Sequence, residues 1–126
     1  MTDATPHPDV TIYHNARCSN SRGALALLRE RGIEPRIVDY LAEPLDEAAL
    51  RALFAAVGGP VRALLRSKEP AWQALGLDDE GIGDEALIAH VARHPELMNR
   101  PIVVTPRGAR LCRPPETVLE LLPAAG

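Results

Sequence analysis

The sequence predicts an α/β fold in which a βαβ unit is followed by a helical middle segment and then by a ββα unit. Two observations support this prediction. Short runs of β-branched residues stand near both ends of the chain, and apolar residues at helical spacing stand between and after them. A length of 126 residues suits one domain with one core. We therefore expect a single domain over residues 1–126, with residues 1–8 mobile and a helical insertion at about 46–93.

The βαβ unit occupies the first forty residues. Residues 10–13 are β-branched or aromatic, which is typical of a strand. A leucine-rich helical stretch follows and ends before Gly32, a residue that favours helix termination. Residues 35–40 then have the length and alternation of a second strand, parallel to the first.

The middle segment is predicted to be helical. Residues 46–57 form an amphipathic pattern with acidic residues in the first turn. Residues 61–66 could add a helical turn, and residues 68–83 are rich in loop signals, with Trp72 and Leu75 as expected anchors. Asp84 is predicted to cap a last helix of this segment, which runs through Arg93.

The C-terminal part predicts two short strands and a helix. Residues 102–105 and 109–112 are joined by a Pro-Arg-Gly turn, and a helix is expected over 115–122. The complete order, βαβ then helices then ββα, is that of a thioredoxin-like mixed β-sheet with a helical insertion in the middle.

Composition narrows the class of protein. The net charge of −3 gives no general attraction to nucleic acid or to an anionic membrane. The chain has no signal-peptide pattern and no apolar run long enough to cross a bilayer, so we expect a cytoplasmic protein. Its two cysteines are too few for a disulfide framework, and a thiol in a reducing compartment indicates chemistry or burial.

Cys18 stands where the loop after the first strand becomes a helix. Unpaired N–H groups and the helix dipole favour the thiolate there, which is the reactive form of cysteine. Ser21 completes a Cys-x-x-Ser pattern, so its hydroxyl could donate to the thiolate but could not resolve a disulfide. The alternative is a small buried cysteine without chemistry.

His14 lies four residues before Cys18. A protonated imidazole there would lower the thiol pKa, whereas the alternative is a solvated loop histidine. Asn15 is expected to bond the loop backbone, and Arg17 and Arg22 add positive potential.

Two other kinds of site are disfavoured. A phosphatase-type loop places an arginine six residues after its cysteine, and that position is Ala24. His90 and His94 have the spacing of metal ligands on a helix, but no glutamate follows His90 and no third ligand is evident, so we expect no metal site.

Three separated motifs together resemble the glutaredoxin-linked arsenate reductases: YHNARCSNSR, VRALLR and NRPIVVTPRGARLCRPPE. The resemblance extends from Thr11 to about Leu122. It implies a thioredoxin-like fold and a cis peptide bond between Arg100 and Pro101. The site residues that it implies are the nucleophile Cys18, the thiol-activating His14, the helix-start Ser21, and the oxyanion-binding Arg66, Arg100 and Arg113.

The resemblance also implies an activity, the reduction of arsenate to arsenite through a cysteine–arsenate adduct. Glutathione would attack the adduct as a co-substrate and glutaredoxin would complete turnover, with no bound cofactor, metal or flavin. The three arginines suit this activity chemically. An oxyanion that approaches a thiolate needs fixed cations nearby, and the planar guanidinium group of arginine forms paired hydrogen bonds with tetrahedral oxyanions.

Other functions stay open at this point. Spx-type transcription regulators, which bind RNA polymerase, share the fold and the motif neighbourhood but commonly carry Cys-x-x-Cys. Ser21 and the three arginine positions argue against that role. A glutathione-dependent thiol oxidoreductase with another substrate is a further alternative. Cys112 adjoins Arg113, so an internal disulfide between Cys112 and Cys18 is conceivable. Cys112 is, however, predicted at the end of a strand, where a small apolar thiol often packs into the core.

Overall fold

The computed structural model describes residues 5–123. The chain divides into two compact units. One comprises Met1–Tyr40 together with Arg100–Gly126, and the other comprises Leu41–Asn99. The predicted insertion at 46–93 therefore falls inside the second unit, which begins and ends a few residues further out. No helix within residues 5–123 is long and apolar enough to cross a membrane.

The first unit is built on a four-stranded mixed sheet, as predicted. Its order is β2-β1-β3-β4, with β1 parallel to β2 and antiparallel to β3, and β3 antiparallel to β4. Ile12, in the C-terminal half of β1, pairs with Ile37 on one side and Val103 on the other. The strands are β1 Thr5–His14, β2 Ile33–Asp39, β3 Ile102–Thr105 and β4 Gly108–Leu111.

Strand β1 begins earlier than the sequence indicated. Residues 5–7 pair with residues 33–35 of β2, and the N–H of Thr5 donates to the carbonyl of Gly32. The prediction of a mobile lead is therefore wrong for residues 5–8, while residues 1–4 lie outside the described residues. Prolines at positions 6 and 8 concealed this half of the strand, because proline cannot donate to a β-ladder.

Helix α1, Ser19–Glu30, connects β1 to β2 and covers the sheet with Ala24, Leu25 and Leu28. The segment expected as a C-terminal α-helix is a 3-10 helix, Pro115–Leu121, which contacts α1. Apolar side chains from these elements form one core. Its buried members are Val10, Ile12, Ala24, Leu25, Leu28, Val103, Cys112, Val118, Leu121 and Leu122.

The second unit is helical. Its α-helices are α2 Glu47–Val57, α3 Pro70–Ala74 and α4 Asp84–Arg93, with 3-10 helices at Val61–Leu64 and Pro95–Leu97. Asp46 caps α2 by accepting from the N–H of Ala49 at 2.8 Å. Gly83, not Asp84, is the N-cap of α4, and Asp84 is its first residue, where its charge still complements the helix dipole.

The loop after α3 is ordered by Trp72 and Arg62. Trp72 is buried, as expected of an anchor, and its indole N–H donates to Asp78 at 2.8 Å. The Arg62 guanidinium lies 5.4 Å from the centre of the Trp72 ring and donates to the carbonyls of Leu77 and Asp79. Because Leu77 is fully buried, it anchors this loop more than the half-buried Leu75 does.

Candidate active site

Cys18 is the N-cap residue of α1 and has an extended backbone, with φ −92° and ψ 123°. Its N–H donates to the carbonyl of Asn15 at 2.9 Å, which closes a tight turn before the helix. Its own carbonyl accepts from the N–H of Arg22 at 3.0 Å, the first hydrogen bond of the helix. The turn and the helix start therefore hold Sγ beside the unpaired N–H groups of α1.

The environment of Cys18 favours the thiolate. Burial is the largest influence and raises the thiol pKa, since the side chain is mostly enclosed. Hydrogen bonds from the Ser21 N–H, the Arg100 side chain and the Asn20 N–H outweigh burial and lower the pKa from 9.0 to about 7. A large fraction of Cys18 is therefore ionised near neutral pH, which is the condition for nucleophilic attack.

Ser21 acts on this site through two different atoms. Its backbone N–H is one of the donors that stabilise the Cys18 thiolate. Its hydroxyl is fully buried and accepts from the N–H of Asn15 at 3.3 Å. The sequence suggested that this hydroxyl could donate to the sulfur. In the structure, the hydrogen bond that it accepts from Asn15 stabilises the turn before Cys18.

His14 is the last residue of β1 and is only 9% exposed. Its Nδ1 atom is buried and has no hydrogen-bond partner among residues 5–123. Burial lowers the His14 pKa, Asp39 opposes this, and Arg29 and Arg22 lower the pKa further. The neutral imidazole is therefore favoured, which contradicts the protonated histidine expected from the sequence. The alternative of a solvated loop histidine is wrong as well, because the residue ends a buried central strand.

Arg100 and Arg113 meet at the sulfur. The peptide bond between Arg100 and Pro101 is cis, as the resemblance predicted, and that between Arg113 and Pro114 is also cis. The Arg100 side chain hydrogen-bonds the Cys18 thiolate. Arg113 Nη1 lies 3.6 Å from Cys18 Sγ and 2.9 Å from the Arg100 carbonyl oxygen. Two of the three predicted oxyanion-binding arginines thus converge on the reactive atom.

Arg66, the third of these arginines, lies in the helical unit. Its N–H donates to the carbonyl of Leu97 at 2.7 Å, and its Nε forms an ion pair with Glu69 Oε1 at 3.1 Å. Sequence reasoning overlooked Glu69 as a partner, although a glutamate three residues after an arginine is a common pairing. An oxyanion-binding role for Arg66 stays a prediction.

The loop before Cys18 is tied by its own polar residues. Asn15 accepts from the Arg17 N–H at 2.9 Å, which confirms the expected bond to the loop backbone. Arg22 Nη1 donates to the Ala16 carbonyl at 2.9 Å. Arg22 therefore has a structural partner, and Arg17 is exposed.

Sequence reasoning missed Asn20, the second residue of α1. Its backbone N–H stabilises the Cys18 thiolate. With its amide oxygen oriented towards Arg113, that oxygen lies 3.2 Å from Nη1 and 3.3 Å from Nη2. The one available signal was its position, two residues after a reactive cysteine at a helix start.

Cys112 is more deeply buried than Cys18, and its pKa is shifted in the opposite direction. It is fully buried in the core of the first unit, and Sγ contacts the Arg110 carbonyl at 3.6 Å. Burial raises the pKa of Cys112 to about 12. The side chain is thus a protonated, enclosed thiol, as its predicted strand end suggested.

Within residues 5–123, no group of three or more histidine, cysteine or acidic side chains could hold a metal ion. His94, one of the two histidines at helical ligand spacing, faces a carboxylate instead. Its Nδ1 lies 3.7 Å from Glu96 Oε2.

A mixed sheet with a cysteine of lowered pKa at a helix start and two arginines beside its sulfur is typical of thioredoxin-like proteins that use a thiol. The chain belongs to the ArsC family, whose sequence model matches residues 13–121. The arsenate reductase of Rhizobium meliloti strain 1021 is 50% identical over 114 residues, covering 90% of this chain and 81% of that protein. The uncharacterized protein YfgD of Escherichia coli K12 is 49% identical over 114 residues, covering 90% and 96%.

Solved structures agree with this assignment. An arsenate reductase from Vibrio cholerae superimposes with a TM-score of 0.87 at 44% sequence identity, covering 95% of this chain and 100% of that one. The comparison confirms the thioredoxin-like fold predicted from the order of elements.

Proposed function

We propose that this protein reduces arsenate to arsenite, with Cys18 as the nucleophile. The observation that carries the proposal is the state of that sulfur. The pKa of Cys18 is about 7, the Arg100 side chain donates a hydrogen bond to the thiolate, and Arg113 Nη1 lies 3.6 Å from Cys18 Sγ. Relatives at about half identity over most of the chain, among them the Rhizobium meliloti protein, are named arsenate reductases.

In the first step, the Cys18 thiolate attacks arsenic and one arsenate oxygen leaves as water after protonation. A sulfur–arsenic bond forms, an arsenic–oxygen bond breaks, and arsenic stays in the +5 state. Arg100 and Arg113 attract the dianion to an anionic sulfur and balance the charge that develops on its oxygens. Arg66 is the third arginine that the family motif assigns to the oxyanion.

The second step needs two electrons from thiols. Glutathione attacks the adduct, and glutaredoxin completes the reduction, so that two thiols end as a disulfide for each arsenate reduced. The chain contains only Cys18 and Cys112, and Cys112 is buried and protonated, which supports an external thiol. No bound cofactor is required, and the cytoplasm is the compartment in which such thiols are kept reduced.

The test is NADPH oxidation coupled through glutathione reductase, with glutathione and glutaredoxin present and arsenate either added or omitted. We expect oxidation that depends on arsenate and on Cys18, so that Cys18→Ser abolishes it while the variant stays folded. Arsenate-independent rates in the wild type, equal to those with arsenate, would contradict the proposal.

The same assay tests one remaining alternative, and a binding experiment tests the other. A glutathione-dependent oxidoreductase with another substrate would use the arginines for a glutathione carboxylate, and its turnover would ignore arsenate. An Spx-type regulator would bind RNA polymerase, which a pull-down with purified polymerase would detect. That role relies on a Cys-x-x-Cys switch, and Ser21 occupies the second cysteine position.

A further inference from the structure

Arg113 is an exposed residue whose guanidinium nevertheless has a defined place. Nη1 lies 2.9 Å from the carbonyl oxygen of Arg100 and 3.6 Å from Cys18 Sγ. An exposed arginine normally samples many rotamers, and fixing one of them costs entropy. Contacts that hold the group in advance lower the entropic cost of binding an anion.

Asn20 supplies the contact that spans both ends of the guanidinium fork. With the Asn20 amide assigned so that its oxygen faces the two guanidinium donors, that oxygen lies 3.2 Å from Nη1 and 3.3 Å from Nη2 of Arg113. The backbone N–H of the same residue donates a hydrogen bond to the Cys18 thiolate. Asn20 therefore joins the sulfur, through its main chain, to the arginine above it, through its side chain.

Gly23 lies one turn further along the same face of α1, since residues three apart are neighbours on a helix. A Cβ atom at this position would lie 3.0 Å from Cγ and 3.1 Å from Cβ of Pro115. Pro115 follows Arg113 by two residues. Glycine is a poor helix former, so its presence inside α1 is explained by the close approach of this segment.

We propose that Asn20 is a positioning residue for Arg113, and that Gly23 lets α1 approach the segment that carries this arginine. The amide oxygen of Asn20 fixes the guanidinium fork beside Sγ, where an anion must arrive to react. The inference deepens the proposed function, since that anion is arsenate if the proposed function holds.

The test measures how strongly the site prefers an anionic reagent, and it needs no arsenate. Iodoacetate carries a negative charge and iodoacetamide does not, so the ratio of their alkylation rates at Cys18 reports the positive charge held beside Sγ. Cys112 does not interfere, because it is buried and protonated. Measurements are made at low ionic strength, since salt screens such fields.

We expect Asn20→Ala to lower the iodoacetate-to-iodoacetamide ratio by about 3- to 10-fold, in the lower part of the range of couplings between side chains in contact. The same change in an Arg113→Ala background should have no further effect, because Asn20 acts through Arg113. The alanine variant keeps the backbone N–H that bonds the thiolate, so the pH midpoint of the iodoacetamide reaction should stay near the wild-type value.

Gly23→Ala is a second variant, in which the effect on helix stability and the effect on the site have opposite signs. Alanine favours the helix but intrudes on Pro115, so the ratio should fall although α1 becomes intrinsically more stable. Gln73→Ala, which removes an exposed amide from α3, is the matched control and should leave the ratio unchanged.

An unchanged ratio in Asn20→Ala, or an equal fall in the Arg113→Ala background, would overturn the role of Asn20. A wild-type ratio in Gly23→Ala would overturn the role of Gly23. Failure of arsenate turnover in the wild type would instead count against the proposed function, because the alkylation ratio does not depend on which oxyanion is the substrate.

Discussion

The two cysteines show how position alone decides thiol chemistry. Cys18 begins a helix and receives hydrogen bonds from Ser21, Arg100 and Asn20, which lower its pKa to about 7. Cys112 is enclosed by apolar side chains, and burial raises its pKa to about 12. Since the thiolate is the nucleophile, only the first can react near neutral pH.

Alkylation of Cys18 by iodoacetamide should rise with pH through a midpoint of about 7 and reach a plateau above it. The sign follows from the lowered pKa, because loss of the proton creates the reactive thiolate. Rates are measured by mass spectrometry from pH 5 to pH 10. The urea-unfolded chain is the control, with an expected midpoint at about 8.5, and a native midpoint at or above that value would remove the activated thiol.

Replacing Arg66, Arg100 or Arg113 with lysine should lower kcat/KM for arsenate by about tenfold or more, since lysine keeps the charge but loses the paired hydrogen bonds. Steady-state kinetics on the three single variants measure this. Arg29→Lys and Arg51→Lys are the controls, because both arginines form exposed ion pairs with glutamates. Equal tolerance at all five positions would mean that the motif had been misread.

Cys112→Ser should keep most of its glutathione-dependent turnover, whereas Cys18→Ser should be inactive. A serine at position 112 buries a hydroxyl in the core, so a loss of about 1–3 kcal/mol of stability is expected. Assays are run well below the melting temperature, with Cys112→Ala as a second variant. Lost turnover in the folded variants, together with a Cys18–Cys112 disulfide in the wild type, would favour an internal resolving thiol.

At the level of elements, α1 differs at its N-terminus from α2 and α4, the two longer helices of the second unit. Helices α2 and α4 carry acidic residues in their first turns, which neutralise the positive end of the dipole. Helix α1 has none, and Cys18, its N-cap residue, makes no side-chain capping hydrogen bond within the described part of the chain. The positive end of the α1 dipole is therefore not neutralised by an acidic side chain of its first turn, and it can stabilise the Cys18 thiolate.

Adding an acid there should weaken the nucleophile. We expect Ser19→Asp, in the first turn of α1, to raise the Cys18 pKa, with Ser19→Asn as the uncharged control. Like charges roughly 6 Å apart in water repel by about 0.7 kcal/mol, or about half a pKa unit. The iodoacetamide pH profile measures the shift. If the aspartate and asparagine variants titrate alike, the unneutralised helix end has no role.

At the scale of the whole molecule, the helix that presents the thiol also closes the core of the first unit. Leu28 of α1 is fully buried with Ile12 of β1 and Val118 of the 3-10 helix. The same element thus links the stability of this unit to the position of Cys18. Apolar burial is the main source of that stability.

Leu28→Ala should destabilise the protein by about 2–5 kcal/mol, because it removes buried contacts and leaves a cavity. Urea denaturation followed by circular dichroism measures the change. Ile37→Ala on β2 is the control, since that side chain is 41% exposed and should cost less than about 1 kcal/mol. Similar losses for both variants would show that the described core does not dominate stability.

Local patterns in the sequence predicted most of the elements. Strands β3 and β4, helix α2 and the bounds of α4 agree with their apolar spacing and turn residues to within about a residue. The errors have local causes as well. Prolines hid the start of β1, and a short α-helix and a 3-10 helix have apolar patterns too similar to separate at 115–121.

The sequence by itself determined the fold and the family and predicted Cys18 as the nucleophile, because these depend on spacing along the chain: a strand, a cysteine, a helix, and motifs in a set order. Tertiary structure alone decided the direction in which the His14 pKa shifts, since burial at the end of a central strand lowers that pKa. It also brought Arg113 and Asn20 together, 93 residues apart, where through-space distance sets the interaction and sequence separation does not.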